Sequence, residues 1–312
     1  MQGEVRPKVD SVHALKDLLG NLLLLTIIVA LLMTQNLAGY LVSQLLLGVV
    51  ITRSLFLMHE CAHGLQSKNK IFTATLGNFY GLFCLLPYPA WRLLHLKHHT
   101  YAGIRGMDPL LVITTSNSPI LKSGLISKTL GFLWRIGFPY IELIRSLGYV
   151  FSPVIILKKT KDRNLFLKAL ASIIFVMLFW KTASTLFPEI VNLKTFVPGF
   201  FVYLLLNELV SLPQHMDMPS AESSKGVFPL WEHPTVTRSV ALPRIIDRHV
   251  FLNFNLHTEH HVFPKLPWRQ LTLAQVILKK DMGETYPEAS WDWSFKKRKG
   301  KFSDIIKLKD LP

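Results

Sequence analysis

Long apolar runs alternate along this chain with polar, basic stretches, and the length of each run predicts an element. Residues 18–33 are apolar apart from Asn21 and Thr26, and residues 37–58 form a second run in which Arg53 is the one charged residue. A third run, 165–187, carries Lys168 and Lys181 toward its ends, and a fourth, 195–212, contains Asn207 and Glu208. Each is long enough to cross a bilayer as a helix, so the pattern predicts four spans in two hairpins. Residues 71–89 are apolar but hold Gly77, Asn78, Gly81, Pro87 and Pro89, which suits a buried, re-entrant or interfacial segment better than a full crossing. Arg135, Glu142 and Arg145 interrupt residues 130–157, as in a helix lying on a membrane surface. The expected fold class is an all-α integral membrane protein with four transmembrane helices and a helical cap. Its expected organisation is a short segment 1–17, a membrane domain 18–279 and a basic, aromatic tail 280–312.

Charge sets the expected orientation. Half of the 312 residues are hydrophobic and the net charge is +15. The links after the first and third runs hold almost no Lys or Arg, whereas residues 59–164 hold thirteen, 213–312 hold fifteen and 1–17 hold three. Cytoplasmic loops collect such residues, so both termini and the long polar segments are expected on the cytoplasmic side. The basic residues beside apolar spans fit anionic headgroups, and no nucleic-acid-binding module accompanies them, so no nucleic-acid partner is expected. Two cysteines, Cys61 and Cys84, build no disulfide framework. The apolar start imitates a signal peptide, but it is long, lacks a clear cleavage site and leads into another span, so it reads as a retained anchor. Trp291, Trp293 and Phe295 beside Lys296, Lys297, Arg298 and Lys299 read as an interfacial anchor.

The candidate chemistry lies in the histidines. Eight of twelve fall into three clusters: His59 and His63 in HECAH; His95, His98 and His99 in HLKHH; His257, His260 and His261 in HTEHH. Residues three or four apart share a helix face, so each cluster aims two or three imidazoles in one direction. All three lie in the basic segments, on one side of the membrane. HECAH has the form of a zinc metalloprotease motif, with Glu60 as general base. Such a site needs one further ligand and leaves six clustered histidines without a role. Eight imidazoles exceed one tetrahedral zinc and suit two ions of higher coordination number, although imidazole alone does not choose between iron, copper, nickel and zinc. Ligating histidines are usually oriented by carboxylates, and Glu60, Asp108 and Glu259 stand close enough in sequence to serve. Glu208 and Asn207, costly in lipid, should face the interior, near the site or against neighbouring helices. His13, His233 and His249 read as ordinary polar residues.

HECAHG after the second span, HLKHHTYAG followed by Asp108-Pro109, and NLHTEHHVFPKLP after the fourth resemble the histidine boxes of the membrane fatty acid desaturase superfamily. The resemblance runs from about residue 18 to 273 and covers box order, box spacing and the span hairpins. It implies a non-haem diiron centre, O2 as co-substrate, the eight box histidines as iron ligands and a lipid acyl chain as substrate. PQH, ending at His215, is similar to the isolated histidine many such enzymes carry, which makes His215 a candidate ninth ligand. The chain has no cysteine set for an iron–sulfur cluster and no nucleotide fingerprint, so a separate donor, a ferredoxin or a b-type cytochrome, is expected. His257 stands where front-end desaturases usually have glutamine, which argues against that subclass. Three other readings stand beside this one. They are a carotenoid ring hydroxylase or ketolase with the same centre, a membrane zinc protease using HECAH, and a metal-binding membrane protein or transporter.

Overall fold

In a computed structural model, residues 6–110, 124–150, 162–301, 304 and 309–310 are described. Among them the chain is mainly helical: α1 Ser11–Met33, α2 Leu37–His63, α3 Lys70–Cys84, α4 Tyr88–Tyr101, α5 Gly124–Arg135, α6 Tyr140–Val150, α7 Arg163–Leu186 and α8 Leu193–His215. Then follow β1 Pro219–Ser220, β2 Ser239–Ala241, α9 Arg244–His249, α10 His257–Val262, α11 Leu271–Met282, β3 Glu288–Ser290, α12 Trp293–Arg298 and β4 Lys309–Asp310. The strands pair in parallel, β1 with β4 and β2 with β3. The helices α1, α2, α7 and α8 are long and apolar enough to cross a membrane. Each covers one predicted run, α7 to within its last residue, and extends beyond it into polar sequence, because the backbone ladder continues until a cap ends it. The apolar stretch 71–89 is not a fifth straight span: α3 and α4 meet at a 98° bend, with Leu85 in the left-handed region.

The chain divides into two compact units, one comprising Val9–Leu93 and Glu142–Leu206, the other Met1–Lys8, Leu94–Ile141 and Asn207–Pro312. The division falls inside α4, α6 and α8. In the first unit, polar groups within the spans are satisfied locally, as lipid requires. Arg53 Nε donates to Asn21 Oδ1 at 2.8 Å, Asn21 Nδ2 donates to Ser54 Oγ at 3.3 Å, and Trp180 Nε1 donates to the Leu82 carbonyl at 2.9 Å. Small residues bring α2 against α8. A Cβ on Gly48 would lie 2.3 Å from Val202 Cγ1, and one on Gly199 would lie 2.8 Å from Leu47 Cβ.

The second unit packs Trp134, Tyr140, Ile141, Leu212, Met216, Ala289 and Trp293 into one apolar core. Two expectations change here, and a third is resolved. Residues 130–150 are not one surface helix: α5 and α6 break at 136–139, and Glu142 pairs with Arg145 in a buried i, i+3 contact; residues 151–157 of that stretch lie outside the described ones. Trp293 is no interfacial anchor, being a core residue 9% exposed with Arg238 over its ring, whereas Trp291 and Phe295 are each 55% exposed. Glu208 takes the second of its two expected places, against neighbouring helices: it accepts from the Ile141 amide of α6 at 3.0 Å and pairs with buried Arg298 of α12. A carboxylate in the fourth span needs an opposite charge, and the tail supplies it. Cys61 and Cys84 are both free and buried.

Candidate metal centre

The first box ends α2. Gly64 takes φ +74° and stops the helix, the Leu65 amide returns to the Glu60 carbonyl at 2.9 Å, and His59 and His63 are left on the final turn with ring centroids 4.8 Å apart. His59 also meets the edge of Trp91 at 6.0 Å. Glu60 is buried beside them in sequence. These residues belong to the first unit.

The second and third boxes belong to the second unit, and helix geometry explains what each histidine does there. Successive residues turn by about 100°, so in H-x-x-H-H the first and last histidines lie about 40° apart, while the middle one lies about 60° to the other side of the first and about 100° from the last. On α4, His95 and His99 pair with ring centroids 4.6 Å apart, and on α10, His257 and His261 pair at 4.5 Å. Each middle histidine crosses to the other box. His98 Nε2 lies 3.3 Å from His261 Nε2, and His260 Nε2 lies 3.0 Å from His99 Nε2. His215, at the end of α8, joins the α10 pair, its Nε2 being 2.7 Å from His257 Nε2. The result is two adjoining groups. His98, His215, His257 and His261 offer nitrogens all within 4.8 Å of one another, as do His95, His99 and His260. The rings of His99 and His261 stack at 4.2 Å between the groups.

Burial, and then the charge of neighbouring histidines, pushes the pKa values of His257 and His261 well below the ordinary value, which favours neutral rings that keep a nitrogen lone pair free of a proton. His257 Nδ1 is buried without a hydrogen-bond partner. Neutral imidazoles with converging nitrogens are the donor set of a transition-metal site, so these residues fit a metal-binding role.

The supporting groups are unequal. Asp108 Oδ1 accepts from His98 Nδ1 at 2.9 Å, and its Oδ2 accepts from the Gly103 amide at 3.1 Å. Glu259 differs from expectation: its carboxylate accepts from Ser239 Oγ at 2.6 Å and from Tyr286 OH, and no histidine contact to it is described. On α10 residue 259 lies about 200° from residue 257, opposite the histidine face. Glu259 instead anchors the helix from behind, where Ser239 Oγ also accepts the Thr258 amide at 3.1 Å. Burial raises the pKa of its carboxyl, and the Ser239 and Tyr286 hydroxyls oppose that rise. His233, given no role by the sequence, is buried with Nδ1 3.1 Å from His261 Nδ1. No cluster or spacing marks it, because a folded turn at Leu230–Thr235 brings it to α10.

The family model described as fatty acid desaturase matches residues 35–293. Among similar proteins, the Delta(12) fatty acid desaturase of Mortierella isabellina is 24% identical over 281 residues, covering 77% of this chain and 67% of its own. The sn-1 acyl-lipid omega-3 desaturase (ferredoxin) of Synechocystis sp. is 25% identical over 253 residues, covering 78% and 69%. The acyl-lipid omega-3 desaturase (cytochrome b5), endoplasmic reticulum, of Arabidopsis thaliana is 23% identical over 252 residues, covering 77% and 64%.

Proposed function

The chain belongs to the fatty acid desaturase family of membrane oxidoreductases, and from that premise we propose that it uses O2 to insert a double bond into a lipid acyl chain at two non-haem irons. The observation that carries the reading is the exchange of middle histidines between the two H-x-x-H-H boxes, which makes two adjoining nitrogen groups out of two helices. In this reading one iron draws on His98, His215, His257 and His261, and the other on His95, His99 and His260. His59 and His63 enter the ligand set through their motif. Bound iron would supply the oxidising power to break an unactivated C–H bond.

The chain's own residues do the rest. Asp108 fixes the ring of His98 through Nδ1 and leaves Nε2 for metal. His257, His260 and His261, each no more than 3% exposed, hold the centre away from bulk water. Overall, O2, two substrate hydrogens, two further electrons and two protons give one C=C bond and two waters. The two electrons come from a separate carrier, a ferredoxin or a b-type cytochrome, as the names of two relatives record for those proteins. By the distribution of Lys and Arg, the boxes and both termini face the cytoplasm.

Metal analysis of the purified protein, with lipid and pigment profiling of cells expressing it, tests this. About two irons per chain and new acyl unsaturation are expected, and His98→Ala or His260→Ala should lower bound iron and abolish product while membrane insertion persists. Full activity in either variant, or oxygenated pigment in place of unsaturated lipid, refutes the proposal.

A further inference from the structure

The segment that carries the third box exposes one sign of charge. Residues 243–270 contain four cations, Arg244, Arg248, Lys265 and Arg269, and two carboxylates, Asp247 and Glu259. Both carboxylates are buried, at 7% and 0% exposure, whereas Arg244, Arg248 and Lys265 are exposed and Arg269 is half-buried over the Trp268 ring. Internal hydrogen bonds make the surface continuous. Asn253 Nδ2, in the turn after α9, donates to the Trp268 carbonyl at 2.9 Å, and Gln270 beside it accepts from the Lys8 amide at 2.7 Å and donates to the Arg6 carbonyl at 3.1 Å. Arg6 and Lys8 are both exposed, so they extend the cationic rim. Between Arg244 and Arg248 on α9 stand two exposed apolar side chains, Ile245 at 77% and Ile246 at 41%. Exposed apolar side chains flanked by like charges are the composition of a docking face for an oppositely charged partner.

That face leads directly to the histidines. Phe251, Leu252 and Leu256, each at most 1% exposed, carry the chain from α9 into His257. Aromatic side chains at headgroup level would mark a membrane-lying surface. The exposed tryptophans of the described chain are Trp231 and Trp291, while the one tryptophan of 243–270, Trp268, is 8% exposed.

Resting on the desaturase reading, we propose that α9, with Arg269 and the Arg6–Lys8 rim, is the docking face for an acidic one-electron carrier protein that visits twice per double bond. Charge at such a rim acts on association and its salt dependence more than on the chemical step.

The test uses full-length, iron-loaded protein in nanodiscs of neutral phosphatidylcholine, with reduced ferredoxin and, in parallel, reduced cytochrome b5. Arg244→Glu with Arg248→Glu should raise the KM for the productive carrier at least about tenfold, flatten its rise with salt, and leave kcat and iron content unchanged. Lys296→Glu with Lys299→Glu should leave that KM unaltered. Binding of the oxidised carriers is measured separately, and weaker binding to the α9 variant is expected even where no turnover occurs. Absence of product from wild type would count against the desaturase reading alone. Unchanged carrier binding in the α9 variant overturns the docking face, and so does a defect that appears only when anionic lipid is added, which would make α9 a headgroup surface.

Discussion

Asp108 ties the end of α4 to the loop after it by gathering His98 Nδ1, the Gly103 amide and the Leu110 amide, the last at 2.9 Å. If His98 holds iron as proposed, Asp108→Asn keeps the shape but removes the charge that would make His98 a stronger ligand, so iron affinity should fall on the order of 10–100-fold, read by competition with a chelator. Its place ten residues after His98 was legible in the sequence. Asp247 was not legible as a special residue. Burial raises its pKa to about 6, against an ordinary value of about 3.9. The folded state therefore holds this proton more tightly than the unfolded chain. The ionised carboxylate costs stability in full above about pH 6, and the cost fades as the pH falls toward 4. Asp247→Asn should accordingly stabilise the protein at pH 7.5 by up to about 3 kcal/mol. Thermal unfolding should show the advantage shrinking toward pH 5, and a constant advantage would contradict it.

At the scale of elements, the contact of α2 with α8 rests on glycine. Gly48 and Gly199 leave no room for a Cβ, because Val202 and Leu47 occupy the space. Gly48→Val should overpack the pair and cost on the order of 1–3 kcal/mol, seen as a lower melting temperature in detergent. An unchanged melting temperature would mean that the two helices can part at no cost. The hydrophobic pattern announced both helices but not their meeting, since a glycine in an apolar run carries no sign of its neighbour. The histidine exchange between α4 and α10 was half legible. Spacing fixed which imidazoles share a face, and the partner box had to be supplied by folding.

Across the whole molecule, the buried pair of Glu208 and Arg298 joins residues 90 apart in sequence. Arg298 also donates to the Trp134 carbonyl at 2.9 Å and lies over its ring. Arg298→Ala should leave an uncompensated buried carboxylate at a cost of about 3–5 kcal/mol, and Glu208→Gln in the same chain should recover much of it. A melting series over the two single variants and the double variant measures this coupling. The tail that carries Arg298 reads in sequence as a basic surface run, because nothing local distinguishes a cation bound for solvent from one bound for a buried carboxylate.

Sequence alone determined the spans, the sign of the polar segments and the three sets of imidazoles, because run length, helical period and charge are local properties of the chain. Tertiary structure alone decided which histidine of each box crosses to the other, that His233 joins them, that Glu259 turns away, and that Trp293 and Arg298 leave the surface for the core. Those outcomes depend on which distant residue fills the facing space, and no periodicity encodes that.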